Sequence, residues 1–237
     1  MKHHPIKAVL FDLDDTLWPI APVIAQAEAK LYEWLREHVP ELTSRFSNEQ
    51  LRELRAEILP SDARFRFDLW ALRHATLTQA CLLSGADHAR MDEAMAVFSV
   101  ARNTVKLFDD VLPGLAQLRQ RFVLGSVSNG FADLQTIGIA HHFHTSLAAH
   151  RFGRAKPDPA IFHAACDALG VTPQETLYVG DDPVLDVQAA QGAGMEAVWM
   201  NRFDRALPDG IVPDAICTSL HELDDWLTRR MAAAGRA

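Results

Sequence analysis

The chain has 237 residues, of which 49% are hydrophobic and 23% charged, a composition that predicts a folded globular protein and excludes a disordered or low-complexity chain. Its 31 acidic residues outnumber its 23 lysines and arginines, and the net charge of −8 disfavours a nucleic-acid partner. Three widely spaced cysteines give no disulfide framework, and the first apolar run is far too short for a membrane span or signal peptide. We expect a cytoplasmic protein with a small-molecule partner and no membrane contact.

The first predicted element is a strand over residues 7–11. Its apolar run is continuous, which is typical of a strand buried on both faces of a parallel sheet, and it ends at Asp12. From about residue 22 to residue 106 the apolar spacing is helical instead, and Ser47 with Gln50 forms a capping-box pattern. The spacing predicts four helices in this stretch, over residues 23–35, 51–58, 69–83 and 91–105. The sequence therefore predicts an all-helical insert.

Strands and helices alternate from residue 109 onward. Strands are predicted at 122–127, 145–148, 176–179, 197–200 and 215–217, and helices around 113–120, 158–169 and 184–192. Such alternation indicates right-handed crossovers and a parallel sheet that binds ligands at the carboxyl ends of its strands. We predict an α/β protein: a Rossmann-like parallel-sheet core, residues 1–18 and 107–237, interrupted by a helical domain, residues 19–106.

An acidic segment, Asp-Leu-Asp-Asp-Thr-Leu, directly follows the first strand. Asp12 and Asp14 are two residues apart, so in extended backbone they lie on the same side of the chain. Both could converge on one cation or one substrate phosphorus. The alternative is a solvated acidic turn, and the short pattern alone leaves both open.

Three further polar clusters follow predicted strands or precede a predicted helix. Ser128 and Asn129 precede a glycine and offer groups suited to phosphate oxygens, although an ordinary turn is an alternative. Lys156 stands before a helix start, where its charge could meet a developing phosphoryl charge, or simply face solvent. The segment Gly-Asp-Asp-Pro-Val-Leu-Asp brings Asp181 and Asp186 to the end of a strand, an arrangement that favours a cation.

Taken in order, these four clusters resemble the four motifs of the haloacid dehalogenase superfamily. FDLDDTL is similar to the first motif, SN to the second, KP to the third and GDDPVLD to the fourth. The resemblance extends over essentially the whole chain, and the helical insert stands where that superfamily has a helical cap domain. It implies an enzyme of the aspartate-nucleophile type, most often a phosphatase.

The resemblance also implies roles for the acidic residues. Asp12 would be the nucleophile that forms an aspartyl-phosphate, and Asp14 the general acid and base. Mg²⁺ is the implied cofactor, held by Asp12, Asp181 and the backbone carbonyl of Asp14. Asp186 would hold the surroundings of the metal and of the lysine, a role that Asp182 could also take.

The remaining motif residues are implied to bind the phosphate group. Thr16 and Ser128 would orient and bind the phosphoryl oxygens, with help from Asn129. Lys156 would neutralise charge during the reaction. The substrate expected from these roles is a small-molecule phosphate monoester.

Alternatives within the superfamily remain open. Its dehalogenases lack an aspartate two residues after the nucleophile, so Asp14 favours phosphate esters over 2-haloacids. Phosphomutases keep all four motifs, and a non-catalytic protein that binds a phosphorylated metabolite is a different class of candidate. An intact set of acids argues against that last class.

The insert is expected to set substrate specificity. Residues 21–24, 51–55 and 180–182 resemble bacterial phosphatases that act on flavin mononucleotide and on the ribitylamino-uracil phosphate of riboflavin synthesis. Trp70 and Arg73 lie at helical spacing and are candidates to bind the leaving group. The alternative is a salt-bridged helix surface. The sequence leaves the substrate and the oligomeric state open.

Overall fold

The computed structural model describes residues 4–234, which divide into two compact units. The first, the α/β core, comprises the residues up to Pro19, Lys106–Asn129 and the residues from Gly138 onward. The second, the helical unit, comprises Ile20–Val105 and Gly130–Ile137. The chain therefore leaves the core and returns to it twice. Among the described residues, no helix combines the length and apolarity needed to cross a membrane.

Five helices make up the first segment of the helical unit. They are α1 (Ile20–His38), α2 (Pro40–Arg45), α3 (Asn48–Ile58), α4 (Leu69–Ser84) and α5 (Met91–Arg102). Ser47 and Gln50 form the predicted capping box at the start of α3. Gly85 ends α4 in the left-handed conformation, with a φ of 72°. Only the short helix α2, which begins at a proline, lacks a sequence prediction among these five.

The core unit alternates strands and helices around a six-stranded sheet. Its strands are β1 (Ala8–Phe11), β2 (Val123–Ser128), β3 (Thr145–Ala148), β4 (Thr176–Gly180), β5 (Glu196–Met200) and β6 (Ala215–Cys217). Its helices are α6 (Val111–Leu118), α8 (Ala149–Phe152), α9 (Pro159–Leu169), α10 (Ala189–Gly192) and α11 (Leu220–Ala234), while α7 (Leu134–Ile137) lies in the helical unit. A π-helical turn, Pro183–Gln188, precedes α10. The sequence predicts all six strands but not the helices α7, α8 and α11.

The sheet order is β3-β2-β1-β4-β5-β6, and every strand pair is parallel. This arrangement confirms the predicted Rossmann-like α/β fold. Strand β1 is central, and its last residue, Phe11, aligns with Ser126 of β2 and Val179 of β4. The carboxyl ends of these three strands therefore meet at one edge, where the strand order reverses and ligands bind in folds of this class.

The segment of residues 130–137 packs with the helical unit, whereas the predicted boundaries include it in the core. The ring of Phe131 lies 6.1 Å from that of Phe98, and the backbone N–H of Asp133 donates a hydrogen bond to Asn103 at 2.9 Å. These contacts join residues about 30 positions apart. No local periodicity in so short a segment could reveal them.

Candidate active site

The nucleophile predicted from the first motif lies at the carboxyl edge of the sheet. Asp12 directly follows β1, and its backbone N–H donates to the carbonyl oxygen of Val179 at 2.8 Å, which extends the pairing with β4 by one residue. Its carboxylate is buried, and Oδ1 lies 2.6 Å from Nζ of Lys156. The fold thus joins the first and third motifs, 144 positions apart.

Lys156 has three partners in this buried site. Its Nζ donates to Asp12 Oδ1 and Asp186 Oδ1 at 2.6 Å each, and to the hydroxyl of Tyr178 at 3.0 Å. Burial lowers the pKa of Lys156, but the carboxylates of Asp12 and Asp186 outweigh burial and raise it well above its ordinary value. Tyr178 donates in turn to the carbonyl of Val127 at 3.0 Å. Lys156 is therefore a fixed positive charge whose three donors are all used.

Asn129 holds the backbone of Lys156. Its amide nitrogen donates to the carbonyl oxygen of Lys156 at 3.0 Å, and its amide oxygen accepts from the backbone N–H of Lys156 at 2.8 Å. Both ends of the Asn129 amide are thus engaged in positioning the lysine. Its expected help in phosphate binding stays a prediction.

Three carboxylates gather beside this lysine. One oxygen from each of Asp12, Asp181 and Asp186 lies within 4.8 Å of the others. Asp186 approaches the end of β4 so closely that a Cβ on Gly180 would lie 2.3 Å from its carboxylate, so this position requires glycine. The side chain of Asp182 instead accepts from two backbone N–H groups at the start of the π-helical turn. The structure therefore places Asp186, and not Asp182, in the acid group.

The acid group is short of positive charge. Burial, with the charges of Asp186 and Asp181, raises the pKa of Asp12 well above its ordinary value, although Lys156 opposes the shift. Burial and the charges of Asp186 and Asp15 likewise raise the pKa of Asp181 to about 7. Carboxylate oxygens are the ligands that Mg²⁺ prefers. The donor set thus fits a divalent cation.

Three further residues of the first motif, Asp14, Asp15 and Thr16, occupy a tight turn after β1. Asp15 has a φ of 61°, and its backbone N–H donates to the carbonyl of Trp18 at 2.7 Å. Oδ1 of Asp14 accepts from the indole nitrogen of Trp18 at 2.9 Å. The hydroxyl of Thr16 donates to Asp12 Oδ2 at 3.4 Å. The turn thus places the Thr16 hydroxyl beside the nucleophile and fixes the side chain of Asp14.

Ser128 is the last residue of β2 and is buried at the same edge of the sheet. This position agrees with its expected role toward phosphoryl oxygens, which stays a prediction.

Two arginines that the sequence analysis missed contact the site from the loop after β5. Arg205 contacts Asp181 at 3.0 Å and Asp15 at 3.3 Å. Arg202 donates to the carbonyl oxygen of Thr16 at 3.1 Å and to Asp110 at 2.7 Å. Their position just past the end of a predicted strand was the available signal, because that places them at the ligand-binding edge.

The predicted specificity residues of the helical unit both lie on α4. Arg73 is largely buried, contacts Glu28 at 3.2 Å and lies 3.8 Å above the ring of Phe98. Trp70 is half-buried and stacks on His74 with the ring centres 5.4 Å apart. The ion pair of Arg73 with Glu28 agrees with the alternative prediction that this side of the helix forms salt bridges within the protein. The role of both residues toward substrate stays a prediction.

One protein-family model matches most of this chain. The model of the haloacid dehalogenase-like hydrolases matches residues 6–194, a range that contains every predicted catalytic and metal-binding residue. Among curated proteins, the chain is 32% identical over 199 residues to the 5-amino-6-(5-phospho-D-ribitylamino)uracil phosphatase YigB of Escherichia coli K12, covering 82% of this chain and 83% of YigB. It is 36% identical over 206 residues to the glyceraldehyde 3-phosphate phosphatase of Methanopyrus kandleri, covering 83% and 84%.

A solved structure is more similar in sequence than either of these relatives. The 2-haloacid dehalogenase from Pseudomonas syringae pv. Tomato DC3000 is 39% identical, with a TM-score of 0.89 over 94% of this chain and 99% of that one. The curated relatives and this structure therefore carry the names of two different reactions.

Proposed function

Because this chain belongs to the haloacid dehalogenase-like hydrolases, we propose that it is a Mg²⁺-dependent phosphatase that cleaves a small-molecule phosphate monoester through an aspartyl-phosphate. The observation that carries the proposal is the buried Asp12, 2.6 Å from Lys156 and grouped with Asp181 and Asp186. A carboxylate nucleophile needs no activating base, only positioning and charge balance.

The cation would be held by Asp12, Asp181 and the backbone carbonyl of Asp14, with Asp186 beside them. When bound, it supplies positive charge that offsets repulsion between the Asp12 carboxylate and the anionic phosphate. Lys156 donates to both Asp12 and Asp186, so its charge offsets the repulsion between these two carboxylates. The site thereby keeps the nucleophile in one orientation.

In the first step, a carboxylate oxygen of Asp12 bonds to phosphorus while the bond from phosphorus to the ester oxygen breaks. Asp14 gives its proton to the departing alcohol. In the second step, Asp14 takes a proton from water, whose oxygen attacks phosphorus and releases phosphate from Asp12. Thr16 and Ser128 bind the phosphoryl oxygens in both steps.

The proposed substrate is flavin mononucleotide or the phosphorylated ribitylamino precursor of riboflavin. The similarity to YigB supports it, and the glyceraldehyde 3-phosphate phosphatase widens the class to other small phosphate esters. Trp70 and Arg73 are the proposed contacts to the leaving group. Core residues would bind only the phosphate end, so the helical unit would select among esters.

A 2-haloacid dehalogenase is the second candidate, because the solved structure at 39% identity carries that name. Displacement of halide needs no proton for the leaving group. A general acid at position 14 can protonate a departing alkoxide, a role that halide displacement does not require. The presence of Asp14 therefore favours ester hydrolysis.

One pair of assays separates the two candidates. We expect purified protein to hydrolyse p-nitrophenyl phosphate with Mg²⁺ and to lose that activity with a chelator. We expect no chloride release from L-2-chloropropionate. Chloride release at rates near those of phosphate release would favour the dehalogenase, and folded, Mg²⁺-loaded protein without phosphatase activity would overturn the proposal.

A further inference from the structure

The loop that carries Arg205 is closed on itself. The side-chain amide of Asn201 donates to the carbonyl oxygen of Arg205 at 2.9 Å and accepts from its backbone N–H at 2.8 Å. Within this loop Asp204 has a φ of 51°, in the left-handed region where aspartate is found more often than most residues. The guanidinium also lies 5.0 Å from the ring centre of Phe203. The backbone of Arg205 is therefore held in place in the loop that follows β5.

That charge lies between two loops of the active site. Arg205 contacts Asp181, which follows β4, at 3.0 Å and Asp15, which follows β1, at 3.3 Å. Its side chain is 46% exposed, whereas those of Asp181 and Asp15 are 14% and 18% exposed. Lys156 neutralises Asp12 and Asp186 from the buried side. Lys156 and Arg205 thus each pair with two of these four carboxylates, and Arg205 contacts Asp181, the proposed carboxylate ligand of the metal that Lys156 does not contact.

We propose that Arg205 is a positioning residue that acts as a counter-ion for Asp181 and competes with the divalent cation for it. This inference rests on the proposed function, because it requires Asp181 to be a metal ligand. The guanidinium stabilises the acid group when no metal is bound and repels the cation that would replace it. Arg205 consequently lowers the affinity for Mg²⁺ and makes the metal exchangeable.

Two consequences distinguish this role from a structural one. Removing the charge strengthens metal binding, because a nearby positive charge and a competitor for Asp181 Oδ2 both disappear. It also destabilises the metal-free protein more than the Mg²⁺-saturated protein, since metal binding and stability are linked. A residue that only supports the loop would lower both stabilities equally and would not tighten metal binding.

The test compares R205Q with R121Q by isothermal titration with MgCl₂ at constant pH and low ionic strength. Arg121 also pairs with an aspartate, Asp224, but lies just before β2, at the opposite edge of the sheet. Both variants remove one positive charge. We expect R205Q to bind Mg²⁺ about three- to tenfold more tightly than wild type, a difference that shrinks in high salt, and R121Q to stay within twofold.

R205K is the second variant, because it keeps the charge while losing the planar guanidinium. We expect its Mg²⁺ affinity to lie between those of wild type and R205Q, and the KM for p-nitrophenyl phosphate to stay within twofold in both variants. Unchanged or weaker Mg²⁺ binding by R205Q would overturn the role of Arg205 but leave the proposed phosphatase function intact. A raised KM with unchanged Mg²⁺ affinity would assign Arg205 to the substrate instead. If wild type binds no Mg²⁺, the proposed function fails as well.

Discussion

Lys156 in the core and Glu28 in the helical unit are both buried ions, with opposite charge balance around them. One ammonium in the core serves two carboxylates, Asp12 and Asp186. One carboxylate in the helical unit serves three guanidiniums, those of Arg52, Arg55 and Arg73. Burial and the neighbouring carboxylates outweigh the charge of Lys156 and raise the pKa of Asp12, whereas the arginines around Glu28 outweigh burial and lower its pKa.

This difference separates a reactive site from a structural one. Acids that lack enough positive charge are costly to bury, and such cost persists where a cation or a substrate compensates for it. The Glu28 cluster needs no ligand to satisfy its carboxylate. Substitutions at the two clusters should therefore have different outcomes: loss of catalysis in the core and loss of stability in the helical unit.

The largest effect is expected for D12N. An amide cannot form the aspartyl-phosphate, so the rate of p-nitrophenyl phosphate hydrolysis should fall by about 10⁴-fold or more. The free energy of unfolding, from urea titration, should change much less than the activity. Activity near that of wild type would remove Asp12 from its role as nucleophile.

D14N should lose about 10²–10⁴-fold in kcat, because Asp14 protonates the leaving group and activates water. The loss should be larger for an alkyl phosphate, whose alkoxide needs a proton, than for p-nitrophenyl phosphate. Steady-state rates on both substrates measure this difference. Equal, small losses would assign the proton transfers to another acid.

E28Q addresses the structural cluster. Removing one charge leaves three arginines without their shared partner, so the free energy of unfolding should fall by about 3 kcal/mol. E33Q is the matched control, since Glu33 lies on the same helix and pairs with Lys30 in an exposed position. It should change stability by less than about 0.5 kcal/mol. A similar loss in the free energy of unfolding for both variants would mean that the three arginine contacts of Glu28 do not stabilise the protein.

The E28Q effect should depend on pH. Burial raises the pKa of Glu28, but hydrogen bonds from Arg52 and Arg55 and the charge of Arg73 outweigh burial and lower it. A lowered folded-state pKa means that the stabilisation is complete above the unfolded-state value of about 4.3 and is lost as pH falls through the folded-state pKa. Urea titrations at several pH values should therefore show the difference between wild type and E28Q shrinking in acid. A stability difference that grows in acid would contradict a lowered pKa for Glu28 in the folded protein.

Replacement of Trp70 should change the KM for one substrate and not for another. W70A should raise the KM for flavin mononucleotide about tenfold and leave that for p-nitrophenyl phosphate unchanged, because Trp70 is the proposed contact to a large leaving group and a contact remote from phosphorus affects only substrates that make it. W34A is the matched control: Trp34 is also partly buried, and it stacks on His38 in α1. Equal changes on both substrates would mean that Trp70 only supports its helix.

The sequence predicts the sheet and its motifs because both are local patterns. Asp12 ends a continuous apolar strand, and Asp181 and Asp186 follow another, so strand ends indicate where the acids lie. It could not predict partners fixed by distant packing. Arg205 reaches Asp15 across 190 positions, and Asn129 holds the backbone of Lys156 across 27. Nothing in the local pattern around Asn129 distinguishes an amide that binds phosphate from one that positions a lysine.

In the proposed mechanism the phosphoryl group is transferred to the carboxylate of Asp12, and this aspartyl-phosphate can be trapped. Protein would be mixed with p-nitrophenyl phosphate and Mg²⁺, quenched in acid within the first turnover, and digested for peptide mass spectrometry. We predict the mass of one phosphoryl group on the peptide that contains Asp12, absent from D12N and from protein treated with a chelator. Rapid hydrolysis without any phosphoryl group on that peptide would exclude Asp12 as the nucleophile.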